Sequence, residues 1–149
     1  MALAEPVFPG GTAARYIESS ALIAAKLEGD ATAWQAIRGE GERFASALTL
    51  AEFARRLIRG RHVGELDDAR VRLLMNWLRR FARRCVIVDI DTDVLARIRR
   101  PFPLEPVRTL DAIHLATIES RDVEPARVAV VTRDRRIADN ARAMGYFVE

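Results

Sequence analysis

VAVVTRDRRIADNARAMGY, residues 128–146, sets a continuous apolar run against a polar turn and then a helix-like segment. A short run of β-branched residues with no polar alternation suits a strand of a parallel sheet that is covered on both faces. CVIVDI, residues 85–90, has the same character and is also followed by a polar turn and a helical stretch. Strands that hand over to helices in this way are the repeating unit of an α/β fold.

Working outward, Tyr16-Ile17 followed by Glu18-Ser19-Ser20 and ALIAAKLEG reads as a short strand, a turn and a helix capped by one of the serines. Phe44-Ala45-Ser46-Ala47 is a second short strand, and Thr49-Leu50-Ala51-Glu52 opens a helix through FARRLIRG. Leu66, Ala69, Leu73, Leu74, Trp77, Leu78 and Phe81 recur at spacings of three and four, the stripe of an amphipathic helix. Tyr146-Phe147-Val148 can add a last strand. The alternation predicts a three-layer α/β/α sandwich around a central parallel sheet. At 149 residues one domain is expected over 15–149, after a flexible leader of residues 1–14 punctuated by Pro6, Pro9, Gly10 and Gly11.

Half of the residues are apolar and 30% are charged, a globular composition. No apolar stretch approaches the ~20 residues of a membrane span, and the N-terminus lacks the basic start and apolar core of a signal peptide, so a cytoplasmic protein is expected. Cys85 is the only cysteine, which excludes an internal disulfide and a cysteine-based zinc site and suggests a buried, inert thiol. Lys26 is the one lysine among 24 basic residues, and the net charge is only +3, which permits a nucleic-acid partner without demanding one.

In open parallel sheets, sites form beyond the carboxyl ends of the strands. Glu18 follows the first strand and Asp134 lies two residues past VAVVT, so both are expected at that edge. Glu52 and Asp111 complete the set of notable acids. Each has a plain structural alternative: Glu52 paired with Arg56 one turn on, Asp111 favouring a helix dipole, Asp134 capping RRIADNARAMG. Glu18 is harder to explain so, because an unpaired carboxylate buried at a strand end is costly. If the four converge, like charges ~4 Å apart repel by ~4 kcal/mol per pair at an effective dielectric of ~20, and the cluster must hold protons or a cation. An acidic, all-oxygen cluster selects hard ions such as Mg²⁺ or Mn²⁺. His114, one turn after Asp111, is expected to pack or to support the acids rather than bind metal, and His62 to face solvent. Phosphate-cradling loops and a nucleophile elbow are absent from the sequence.

Four segments together resemble the PIN-domain family, especially VapC-type toxins of toxin–antitoxin systems. YIESSAL (16–22) resembles its opening motif, ALTLAEFARRL (47–57) the second with its acid at Glu52, and RTLDAIHLATI (108–118) the third with its acid at Asp111. VVTRDRRIADNARAMGY (130–146) resembles the fourth, with Asp134 and an auxiliary acid at Asp139. The first motif usually carries Asp, and this chain has Glu18, whose extra methylene moves the carboxylate by roughly a bond length where Mg²⁺ contacts of ~2.1 Å are exacting. The resemblance implies a divalent-metal ribonuclease, homodimeric, acting on RNA and inhibited by a cognate antitoxin protein. Glu18, Glu52, Asp111 and Asp134 would form the metal and catalytic cluster, and Ser20 would hydrogen-bond into it unless it only caps its helix. Arg133, Arg135 and Arg136 would grip RNA phosphates. The alternative is a non-catalytic PIN-like module that binds RNA or protein. A receiver-like signalling domain would need a lysine on a later strand, and Lys26 is misplaced for that role.

Overall fold

The computed structural model describes residues 11–149. Five parallel strands form one sheet in the order β3-β2-β1-β4-β5: β1 Ala14–Ile17, β2 Glu42–Ser46, β3 Val86–Val88, β4 Val128–Val131 and β5 Phe147–Val148. Between them run α1 Ser19–Leu27, α2 Ala31–Ile37, α3 Ala47–His62, α4 Asp68–Arg83, α5 Thr92–Arg97, α6 Thr109–Glu119 and α7 Arg135–Ala143. The expected three-layer α/β/α sandwich is the observed architecture.

Strand periodicity divides the core. Tyr16, Phe44 and Val130 lie in register across β2, β1 and β4 and face one cluster with Leu115 and Ile118 of α6 and Ile137 of α7. Their neighbours Ile17, Ala45 and Val131 point the other way, into a cluster with Phe53 and Leu57 of α3 and Leu74 of α4. Because successive strand side chains alternate between faces, two covered faces require unbroken apolar runs, as seen in β4. Full burial of side chains such as Phe53, Leu57 and Leu74 contributes about 1.5–3 kcal/mol each.

Several local expectations change. The helix after β1 starts at Ser19 with Glu18 at its N-cap, so neither serine is the cap. Two helices, not one, separate β1 from β2: Gly29, at φ 70°, turns the chain out of α1, and Asp30 caps α2 by accepting the Ala33 N–H at 2.9 Å. β3 is an edge strand of three residues with Val86 exposed, so 85–90 is not the doubly covered strand that its composition suggests. In α4, capped by Asp67, Leu74, Leu78 and Phe81 are buried, while Leu73 falls off the stripe and is exposed. Ala14 already belongs to β1 and the Ala13 N–H bonds Arg127 O at 2.9 Å, whereas residues 1–10 of the expected leader lie outside the described residues.

The chain order reverses between β1 and β4. Strands two and three are added on one side of β1, and β4 and β5 on the other, so the helices after β1 and β4 diverge to opposite faces. Such a switch point leaves a crevice at the carboxyl ends of the two strands.

Candidate active site

Glu18 occupies that crevice. Its N–H bonds Val131 O at 3.1 Å, which extends the β1–β4 ladder by one residue and leaves the side chain only 3% exposed. Three hydroxyls donate to the carboxylate: Ser19 to Oε1 at 2.6 Å, Thr132 to Oε2 at 2.8 Å, and Ser20 to Oε2. Ser20 Oγ also accepts the Arg133 N–H at 2.8 Å, and Thr132 Oγ1 accepts the Asp134 N–H at 3.0 Å. The turns after β1 and β4 are thus stitched together around one carboxylate. No arginine or lysine among the described residues forms an ion pair with it.

Glu52, on α3, does not pair with Arg56, which bonds Glu65 at 2.8 Å instead. Its Oε1 faces His114 Nε2 at 2.5 Å and accepts Ser19 Oγ at 3.1 Å. The other ring nitrogen, Nδ1, lies 2.7 Å from the hydroxyl of fully buried Tyr16. Burial, then the charge of Glu18, raises the Tyr16 pKa well above its ordinary value, while contacts from the Thr49 side chain and the Ser46 backbone oppose the shift. The phenol stays protonated, and we assign it as the donor to Nδ1. That bond assigns the imidazole proton to Nε2, which donates to Glu52. In that tautomer His114 orients Glu52, and its Nε2 would join Glu18 and Glu52 in holding a cation only on giving up its proton.

Asp111 stands in the first turn of α6, where Arg108 caps the helix without a side-chain bond. Its Oδ2 is the one buried side-chain polar atom without a hydrogen-bond partner among the described residues. Burial raises its pKa, and the neighbouring charge of Asp134 adds to the rise; Arg108 and His114 oppose it, and Glu18 adds a smaller increment. Asp134 caps α7, its Oδ1 accepting the Arg136 and Ile137 N–H groups at 2.9 and 3.1 Å. The capping reading of Asp134 is what the geometry shows; it acts on Asp111 electrostatically but is not among the residues whose ligand-type atoms lie together, which are Glu18, Glu52 and His114.

Glu18, Glu52 and His114 offer ligand-type atoms within 4.8 Å of one another, and Asp111 and Asp134 interact electrostatically beside them. Asp111 Oδ2 is buried without a hydrogen bond, with Arg108 Nε 3.9 Å away, and no arginine or lysine among the described residues pairs with Glu18 or Glu52; a hard divalent ion would satisfy such oxygens, so the donor set fits Mg²⁺ or Mn²⁺. Asp139 is apart from this group, exposed on α7 and paired with Arg142 at 3.3 Å. Arg133 is drawn to Asp30 at 2.8 Å, while Arg135 and Arg136 are exposed. Sequence reading did not single out Ser19, Thr132 or Tyr16. Thr132 had one signal, a hydroxyl that closes the apolar run VAVVT. A cleft of about 570 Å³ beside Trp34, Trp77 and Phe81 is lined by arginines and no carboxylate, and is separate from this centre.

The PIN domain profile matches residues 15–143. Ribonuclease VapC35 of Mycobacterium tuberculosis, in strains CDC 1551 / Oshkosh and ATCC 25618 / H37Rv, is 34% identical over 137 residues, spanning 89% of this chain and 93% of the relative. In fold, the chain is similar to the crystal structure of VapBC2 from Rickettsia felis bound to a DNA fragment from their promoter, with a TM-score of 0.61 and 11% identity over 91% of this chain and 97% of that one. The four motifs, the switch-point acids and a profile match over nearly all the described chain lead to one conclusion: this chain belongs to the PIN domain family.

Proposed function

We propose that the protein is a divalent-metal-dependent endoribonuclease, the toxin of a toxin–antitoxin pair, working in the cytoplasm as a homodimer that a cognate antitoxin protein inhibits. The similarity to Ribonuclease VapC35 supports the ribonuclease and toxin reading. The observation that carries the chemistry is the buried Asp111 Oδ2, which has no hydrogen bond and only a 3.9 Å ion pair to Arg108, beside the Glu18–Glu52–His114 group. No helix among the described residues is long and apolar enough to cross a membrane.

Glu18, Glu52, Asp111 and Asp134 would hold Mg²⁺ or Mn²⁺, directly or through water. The ion, when bound, lowers the pKa of a ligated water for attack on phosphorus and offsets charge on the phosphate. The chain's own residues set the stage. Ser19, Ser20 and Thr132 fix the longer Glu18 side chain in one rotamer. The Tyr16–His114 pair orients Glu52. Asp134, its Oδ1 held by α7, would offer its other oxygen to the ion, and the exposed Arg135 and Arg136 would draw RNA phosphates to the rim, with Arg133 completing that rim from its Asp30 tether.

Incubating the protein with RNA in Mn²⁺ or Mg²⁺, against EDTA, tests this. Cleavage that needs the metal and is lost in Glu18→Gln and Asp111→Asn is expected. Metal-independent cleavage, or full activity in both variants, would overturn the reading.

A further inference from the structure

A groove of about 340 Å³ opens next to the acids, between the chain at 104–108 and α7, lined by Leu104, Pro106, Val107, Arg108, Arg136 and Asn140. It is a built feature. Asn140, 2% exposed, accepts the Leu104 N–H at 2.9 Å and donates to Leu104 O at 3.1 Å and Arg136 O at 3.2 Å. The Glu105 carboxylate accepts the Phe102 and Val107 N–H groups at 2.9 and 2.6 Å. Those bonds hold the segment against α7 and occupy the Asn140 amide, so Asn140 lines the groove with its hydrogen bonds already satisfied.

Each wall carries an arginine rooted beside one of the acids. Arg108 is 74% exposed, and its one acidic neighbour is Asp111, with Nε 3.9 Å from Oδ2. Arg136 is exposed, has no ion pair among the described residues, and gives its backbone N–H to Asp134. Between them Leu104, 51% exposed, and Pro106 present an apolar face. Asp139 also lines the groove, but its carboxylate turns to Arg142. Two cations flanking an apolar floor match the alternation of phosphate and nucleoside along a single strand.

We propose that this groove is the subsite for the unpaired nucleotide adjoining the scissile phosphate, with Arg108 and Arg136 holding the phosphates on either side and Leu104, Pro106 and Val107 receiving the nucleoside. The assignment rests on the ribonuclease reading, because continuity with the carboxylates is what selects RNA over an acidic protein segment.

The test is anisotropy of a labelled single-stranded hexaribonucleotide, titrated in EDTA so that binding is read without cleavage. The Arg108→Ala/Arg136→Ala double variant should bind at least tenfold more weakly. Its log affinity should fall less steeply with log salt by about 1.4, two single-strand phosphates at ~0.7 each. Arg72→Ala/Arg83→Ala, which removes the same charge from exposed positions of α4, should change neither by more than twofold. Equal losses in both pairs, no loss in the first, or no RNA binding by the wild type would overturn the subsite. So would an oligoglutamate peptide that binds through Arg108 and Arg136 as tightly as RNA. Failure of the nuclease reading has a different signature: RNA bound with this arginine dependence and left uncut in Mn²⁺.

Discussion

The Thr132 hydroxyl donates to Glu18 Oε2 over 2.8 Å, and so joins the end of β4 to the end of β1 at the point where the strand order reverses. Glu18 accepts from three hydroxyls, contacts that would hold a glutamate in place where the family's opening motif usually has aspartate. Thr132→Val, which keeps the shape and removes the donor, should cost about 1–3 kcal/mol in urea unfolding of the metal-free protein. It should also weaken Mn²⁺ binding about 10-fold in calorimetry, as loss of a ligand's supporting bond does. Thr132→Ser should restore both, and a serine variant as poor as valine would contradict the hydroxyl's role.

Glu18→Asp shortens the side chain by one bond and withdraws the carboxylate from Ser19 and Thr132. Although aspartate is the family's usual residue here, the variant should bind Mn²⁺ more weakly than wild type, because these hydroxyls are placed for glutamate. Tighter binding by the aspartate variant, measured in the same titration, would show that Glu18 is a compromise and not a fitted residue.

The Tyr16–His114–Glu52 chain predicts the Nε2–H tautomer for His114, readable from long-range ¹H–¹⁵N NMR couplings. Tyr16→Phe should leave Nδ1 buried without its donor, destabilise the fold by about 1–3 kcal/mol and allow the ring to flip away from Glu52. An Nδ1–H ring in the wild type would reverse the assignment.

If Asp111 holds the proposed metal, protons and metal would compete there. Its pKa is raised by burial and then by Asp134, so the metal-free fold binds the proton more tightly than the unfolded chain does. That contribution to stability is complete below the unfolded carboxylate value and is lost as pH rises through the folded one. Mn²⁺ affinity should therefore fall as pH drops through the raised value. In Asp134→Asn, which removes the repelling charge, the fall in affinity should move to lower pH; an unmoved or upward-shifted limb would contradict the coupling.

Alkali should unfold the protein early. Burial pushes the Cys85 thiol from 9.0 up to about 12, and burial with the nearby charge of Glu119 pushes Tyr146 from 10.0 up to about 12. Between the unfolded and folded values only the unfolded chain ionises, so stability drops as pH rises across roughly 9 to 12. Urea midpoints at pH 8 and pH 10.5 measure the drop, and Cys85→Ala should make it smaller.

The layers of the fold and the place of Glu18 and Asp134 at the carboxyl edge of the sheet were legible in the sequence because both are local signals. Unbroken β-branched runs such as VAVV mark strands covered on both faces, and acids directly after such runs stand at the carboxyl edge whatever the strand order. The edge position of β3 escaped the reading, since Val86-Ile87-Val88 has the composition of an interior strand and only pairing reveals that one side lacks a neighbour. The serines after Glu18 looked like helix caps, yet serine's hydroxyl serves a backbone N–H or a carboxylate equally well, and the turn from β4 decided for the carboxylate. Likewise, nothing in the chain order brings Thr132 to Glu18 or Tyr16 to His114; those pairs are more than ninety residues apart, the first meeting because β4 lies beside β1 and the second because α6 packs on the sheet face that Tyr16 points to. Chemical type is carried by each residue, whereas partnership depends on distance, and distance was settled by the path of the chain through the sheet.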